Sequence, residues 1–269
     1  MHPFESLNVG DLLREWRKRR HLSQLALALD AEISQRHLSF LEIGRSLPSR
    51  EMILRLAERL EIPLRERNVL LASAGFAAVF PERSLDEESL PAARRAVDLI
   101  LNGLEPNPSF AVDRHWTLMA ANQAAKTVLL SDADPSLLNP PINMLRLCLH
   151  PKGFTPQVMN YSEWRGGVLK YLERQVVATA DAILMELLAE LKSYPKPDTA
   201  RNALPTAETA NSGISIPLRL MKKEGELSFI GTVTVFGTPI DVTLSELAIE
   251  SFFPADKQTE DILDSYQRY

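Results

Sequence analysis

The residues best suited to chemistry in this chain lie between positions 22 and 50. Gln24, Gln35, Arg36 and His37 carry side chains that can reach base edges, Gln pairing bidentately with adenine and Arg with guanine. Arg45 suits a phosphate contact, and Ser49-Arg50 can offer donors to a second phosphate. Gln24 can equally touch phosphate and brace Gln35. The spacing places these groups on a helix-turn-helix. In LSQLALALDAEISQRHLSFLEIGR (22–45), Ser23 is set to cap a helix whose apolar face is Leu25, Leu27, Ala28 and Leu29. Asp30 to Ile33 breaks it. Ser34 caps a second helix with Leu38 and Leu41 inward and Gln35, Arg36, His37 and Ser39 outward. Ala28 is small where the two helices must cross, Ile33 fills the corner, and Glu42 reads as structural.

A second set of residues lies past position 100. Arg146, flanked by Leu145, Leu147 and Leu149, offers a fork suited to a carboxylate, unless it is a surface arginine on an amphipathic helix. Asn122 is placed to cap a helix or to touch a ligand. Phe110, Trp116, Met119, Met144, Phe154, Trp164, Leu172, Phe229 and Val233 either line a cavity or form plain core. Past residue 75 the only histidines are His115 and His150, and neither stands in a Ser/His/Asp or metal-spaced cluster. Cys148 reads as a buried structural thiol. No glycine-rich phosphate loop is present. The expectation is a protein that is not an enzyme, with no metal and no required cofactor.

The elements that must position these residues follow from periodicity and punctuation. A first helix spans about Val9 to Arg20, with Leu12, Leu13 and Trp16 inward. The basic run Arg14, Arg17, Lys18, Arg19, Arg20 at its end suits phosphates or a solvated face. Ser49 caps a fourth helix and Pro63 starts a fifth, which stops at Gly75. Residues 77–90, with Pro81 and Asp86-Glu87-Glu88, read as a linker. Pro91 opens a helix to about Leu104. Phe110 to Ala121 reads as a hairpin turning at Asp113-Arg114, with Trp116 to Ala121 as its outgoing strand. Short helices follow at Asn122–Leu130 and Asn143–Leu149, and longer ones begin at Ser162 and Asp181. After a loop to Gly213 come strands at Ile214–Met221, Leu227–Phe236 and Leu247–Phe253. Five strands with helices inserted between the second and third give an antiparallel sheet covered by helices on one face.

Charge divides along the same line. Over 269 residues the net charge is −5, but residues 1–75 hold 12 Lys/Arg against 10 Asp/Glu, and residues 76–269 hold 18 against 25. A mildly basic module joined to an acidic one fits a nucleic-acid partner for the first. With no apolar run of the roughly 18 residues needed to span a bilayer, no signal-peptide core and one cysteine, the expectation is a cytoplasmic protein without membrane insertion.

Ser23-Gln24, Leu27-Ala28, Ile33-Ser34, Leu38, Glu42 and Gly44-Arg45 resemble the XRE/Cro-repressor family of DNA-binding domains from about Val9 to Gly75. That family usually has glycine where Glu32 stands, so Glu32 is expected at positive φ. Two strands and a short helix opening with Asn122 resemble the start of a PAS-type sensor module. FAVDRHWTLMAAN at 110–122, NMLRLCLHP at 143–151, Trp164 with Tyr171-Leu172-Glu173-Arg174, and SFFPAD at 251–256 resemble the ligand-binding domain of MmyB-like transcription regulators, over about 92–256. The combined expectation is two domains. An all-α five-helix helix-turn-helix domain occupies 1–76 and a linker 77–90. An α+β PAS-like domain with a five-stranded antiparallel sheet occupies 91–256, and a C-terminal tail 257–269. The resemblance implies a regulator that binds double-stranded DNA, with a PAS-like pocket for a small apolar or amphipathic ligand such as a fatty acid. A homodimer is expected because one helix-turn-helix covers few base pairs. The alternative is a C-terminal domain that only dimerises or binds a protein partner.

Overall fold

Every helix of the N-terminal region ends in the same reversal, and most begin at a side-chain cap. The structure, a computed structural model, describes residues 8–83, 91–179, 181–195 and 216–266. Asn8, Ser23, Ser34 and Ser49 each accept a backbone N–H of the first turn, starting α1 (Val9–Arg19), α2 (Gln24–Asp30), α3 (Gln35–Glu42) and α4 (Arg50–Arg59). α5 (Leu64–Ser73) starts after Pro63. Just past each end stands a left-handed residue: His21, Glu32, Gly44, Glu61 and Gly75 have φ of 55°, 57°, 71°, 48° and 82°. The next residue's N–H bonds to the carbonyl five positions back: Leu22 to Arg17, Ile33 to Ala28, Arg45 to Phe40, Ile62 to Ala57 and Phe76 to Leu71. These are Schellman closures, and in four of the five an apolar residue follows the reversal and packs onto the core. Glu32 thus takes the conformation expected of it, as do two further non-glycine residues.

Leu13, Leu27, Ala28, Leu38, Leu41, Ile53, Leu56, Leu60 and Leu71 are fully buried between the five helices. α1 lies directly on α3, because a Cβ on Gly10 would stand 2.2 Å from the Leu41 carbonyl oxygen. The apolar face expected for α2 is narrower in the structure. Leu25 and Leu29 are 52% and 70% exposed. A seven-residue helix wedged into the bundle turns in only the Leu27 and Ala28 side.

Residues 77–83, expected as linker, are packed instead. The Asn68 side chain accepts the backbone N–H groups of Val79 and Phe80 and donates to the Phe80 carbonyl, and Arg65 pairs with Glu82. The rest of the expected linker, including Asp86-Glu87-Glu88, lies outside the described residues. So do nearly all of the loop up to Gly213 and the start of the strand expected from Ile214.

By internal packing the chain forms two units. One comprises Met1–Ser84 with Thr238–Ser245; the other comprises Leu85–Gly237 with Glu246–Tyr269. The returning segment carries α11 (Val242–Ser245). Within the first unit Val242 N–H donates to the Pro81 carbonyl, and the fully buried Asp241 accepts Arg83 Nε at 3.0 Å. No local signal in the sequence assigns this segment to the first unit.

The second unit opens with α6 (Pro91–Gly103), then β1 (Ser109–Val112) and β2 (Leu118–Ala121). Next come α7 (Gln123–Ala125), prolonged by a wider turn to Leu130, α8 (Met144–Leu149), α9 (Tyr161–Thr179) and α10 (Ala182–Ser193). The strands β3 (Leu218–Lys222), β4 (Gly225–Val235) and β5 (Ala248–Pro254) complete a five-stranded antiparallel sheet in the order β2-β1-β5-β4-β3. Two details depart from the sequence reading. Trp116 does not lead the second strand: at φ 68° it sits within the 113–117 turn, held by its N–H to the Asp113 carbonyl. Nor is 257–266, the described part of the expected tail, a plain tail. Lys257–Tyr266 forms α12, burying Leu263, while the buried Thr259 hydroxyl accepts the Ser228 N–H of β4.

Candidate nucleic-acid interface and ligand cavity

α3 presents Gln35 and Arg36 to solvent at its first turn, with His37 half-buried beside them. The Arg36 guanidinium lies 5.3 Å from the Phe40 ring centre, one turn on, which limits its sway without covering its donors. Arg45, just past the reversal at Gly44, and Arg50 are also exposed. Ser49 is exposed too, and its hydroxyl caps α4.

Gln24 is placed otherwise. Its Nε2 donates at 2.8 Å to Glu42, a carboxylate with 1% exposure at the end of α3. Arg17 clamps the same group, Nε to one oxygen at 2.6 Å and Nη2 to the other at 2.9 Å, and Arg14 donates to the Glu42 backbone carbonyl. Burial opposes the charge on Glu42. The hydrogen bonds of Arg17 and Gln24, with the charges of Arg17 and Arg14, outweigh it and hold the carboxyl below the usual range. Gln24 therefore braces Glu42, not Gln35. The basic run of α1 is largely drawn inward: Arg20 donates to the Leu60 and Glu61 carbonyls, and Arg19 pairs with Glu15. For Arg20 the reason is tertiary, since the last turn of α1 lies against the open carbonyls at the end of α4, whereas the Arg19–Glu15 pair lies within α1.

In the second unit the helices leave a cavity of about 360 Å³ against one face of the sheet. One cross-strand row forms its floor: Phe110 of β1 pairs with Glu250 of β5, which pairs with Val233 of β4. Phe252 and Gly231 form the adjoining row. Met144, Leu145 and Cys148 of α8, and Trp164, Val168 and Tyr171 of α9, stand opposite, with Phe154 and Leu129 at the sides. The left-handed turn at Trp116 brings its indole to this wall, where it meets the Tyr171 ring edge-on at 5.7 Å and donates to Gln175. Trp164 Nε1 donates to Cys148 Sγ at 3.0 Å, and burial pushes that thiol up to about 12.

Of the eleven residues named from the sequence for this site, Phe110, Trp116, Met144, Phe154, Trp164 and Val233 line the cavity. Five do not. Leu172 and Phe229 are fully buried in the core, and Met119 lies half-buried on β2. Asn122 is spent on structure: its oxygen accepts the Ser109 and Ala125 N–H groups while its nitrogen donates to the Asn107 and Leu101 carbonyls. Arg146 does meet a carboxylate, but it is the chain's own. It grips Glu190 of α10 through Nε and Nη2 at 2.8–3.0 Å on the outer side of α8, and Tyr194 donates to the same group.

Among the described residues, the carboxylate and the guanidinium that face the cavity are those of Glu250 and Arg174. Arg174 is exposed, 5.8 Å from the Tyr171 ring centre. Glu250 is largely buried, and desolvation raises its carboxyl to about 7. An acidic residue on the same strand face as Phe252, two positions away, was the available signal for it.

Among the described residues no cluster of His, Cys, Asp or Glu could hold a metal ion, and no helix is long and apolar enough to cross a membrane. Residues 93–265 match the model of the MmyB-like transcription regulator ligand binding domain, and residues 13–67 match a helix-turn-helix model. No curated protein matches the chain. Among solved structures an RNA-binding light-oxygen-voltage receptor shows 12% identity over 97% of this chain, with a TM-score of 0.28; the chain spans 64% of that structure's length. At that likeness the receptor informs nothing here. These families are regulatory, not enzymatic, and the cavity lies within the span matched to the ligand-binding model. The chain belongs to the family of MmyB-like transcription regulators, its ligand-binding domain following an XRE-type helix-turn-helix.

Proposed function

We propose that this DNA-binding transcription regulator recognises a specific duplex through α3 and reports the presence of a small apolar or amphipathic molecule held in the cavity of its second unit. The observation that carries the reading is the cavity itself. Its walls are almost wholly apolar and aromatic, in a domain whose family binds ligands, where a solid core would have served if dimerisation were the sole task. Burial of a saturated chain contributes roughly 0.8 kcal/mol per methylene, so apolar walls alone suffice for firm binding. A fatty acid, the ligand implied by the sequence resemblance, belongs to this class. Among the described residues the cation at the cavity wall is Arg174, not Arg146.

On the DNA side, Gln35, Arg36 and His37 are the base-reading candidates, and Arg45, Ser49 and Arg50 the phosphate candidates. Gln24 acts on them through Glu42. One recognition helix covers few base pairs, and a homodimer with half-sites about 34 Å apart gives the specificity an operator requires. Selection from a randomised duplex library, repeated on protein stripped of bound small molecules, tests both halves. The expected result is one enriched symmetric sequence whose affinity changes on stripping and falls steeply with salt. No enrichment defeats the DNA reading. Enrichment indifferent to stripping, with no small molecule released, leaves the second unit as a dimerisation or protein-binding module. A monomeric mass in light scattering, with and without that duplex, removes the homodimer.

A further inference from the structure

From the placement of Glu250 among the cavity's aromatic rings, we infer that the preferred ligand is a hydrophobic amine, bound as its ammonium ion, and not a plain fatty acid. The inference rests on the cavity being a ligand site, as proposed above. Glu250 projects from the centre of the floor, paired on one side with Phe110 and on the other with Val233, both cavity-lining. No hydrogen bond or ion pair to its carboxylate is found among the described residues. Buried carboxylates ordinarily have partners, and one that faces a cavity and meets no partner among the described residues points to a group the ligand supplies.

The surrounding rings specify that group further. Phe110, Trp116, Trp164, Tyr171 and Phe252 line the same space, with Phe110 and Trp164 lying 6.0 Å and 6.4 Å from Phe252. Aromatic faces around a carboxylate form the arrangement that holds an alkylammonium ion, through cation–π attraction and a charge-assisted hydrogen bond. A carboxylic acid fares worse. Deep in the cavity its charge would be repelled by Glu250, and the cation available to it, Arg174, is exposed and screened by water.

The other ionisable groups facing this space are Cys148 from α8 and Tyr171 and Arg174 from α9. The thiol and the phenol are both shifted upward by burial. Among the described lining residues Glu250 is therefore the one whose carboxyl burial raises to about 7. A protonated amine restores its charge, so amine binding strengthens as pH rises through that value.

The test uses the full chain, a neutral environment-sensitive reporter (N-phenyl-1-naphthylamine), and three competitors of equal chain length: decylamine, decanol and decanoic acid. At pH 8 decylamine is expected to displace the reporter at about tenfold lower concentration than decanoate, the scale of one desolvated charge pair. That advantage is expected to shrink at pH 5.5 and to vanish in Glu250→Gln. The pH comparison is made on the unaltered protein, so it decides the matter even if the variant folds poorly. Equal displacement by amine and acid at pH 8, or an amine preference that survives both protonation and substitution, overturns the inference while leaving the cavity reading intact. Failure of the reporter and all three competitors to bind defeats the cavity reading, and the inference with it.

Discussion

At the scale of single residues, charged groups fall into those used inside the fold and those left to meet a partner. Arg36 is of the second kind, exposed on the first turn of α3 and steadied by Phe40. Arg36→Ala is expected to cost about 1–3 kcal/mol of affinity for the selected duplex and to relax preference at one position, while the melting temperature stays unchanged. Competition titrations against single-base variants of that duplex measure both effects. Glu42 is of the first kind. Replacing it with Gln leaves Arg17 without its counter-charge, and about 3–5 kcal/mol of stability should be lost, as for other broken buried pairs. The Glu42 carboxyl is held below its ordinary value of 4.5 in the folded protein. Its stabilising contribution is therefore full above that value and disappears as pH falls through the lower folded one. Denaturant melts from pH 7 to pH 3 should show an acid loss in the parent protein that is shallower in Glu42→Gln. Equal slopes would assign the acid sensitivity elsewhere.

At the scale of elements, the cavity depends on β4 and β5 running side by side beneath α8 and α9. Gly231 of β4 leaves space where a Cβ would find Phe252 ring atoms at 3.7 Å and 3.9 Å, ordinary contact distances. Gly231→Leu should therefore be accommodated by the strand while its side chain fills the cavity. The expected outcome is a protein that binds its duplex with parental affinity, retains no small molecule in native mass spectrometry, and no longer responds to stripping. A retained ligand in this variant would place the binding site elsewhere. α12 supports the same strands. By satisfying the Ser228 N–H through Thr259 it supports the strand that carries Gly231 and Val233.

At the scale of the whole molecule, the chain leaves the second unit after Gly237, contributes Thr238–Ser245 to the first, and returns at Glu246. The flanking strands β4 and β5 both bear cavity residues, so under the proposed sensing role a ligand that favours one arrangement of them would bias the segment that the chain contributes to the first unit. Asp241 anchors that segment through Arg83 and the Thr243 N–H. Asp241→Ala is expected to leave ligand retention and duplex preference in place but to reduce the change in DNA affinity that the ligand causes. Titrating duplex with and without ligand, on parent and variant, gives the coupling directly. An undiminished coupling would show that the route lies outside this segment.

Much of the first unit was legible because its signals are local. Caps at Ser23, Ser34 and Ser49, the left-handed turn at Glu32 and the inward Leu38 and Leu41 are each set by neighbours within a few residues, where backbone geometry and periodicity act. The strand count and the antiparallel sheet follow from the same short-range patterning. What sequence could not decide is where a charge finds its partner. Arg17 meets Glu42, Arg146 meets Glu190 and Arg83 meets Asp241 across 25, 44 and 158 positions, and only the packed chain brings such groups within hydrogen-bonding reach. The same holds for the cavity. Alternation along β5 separates Glu250 and Phe252 from Ile249 and Ser251, but whether that face meets solid core or open space depends on how α8 and α9 seat against the sheet. That Glu250 and Arg174, and not Arg146, stand at the cavity was therefore decided by tertiary packing.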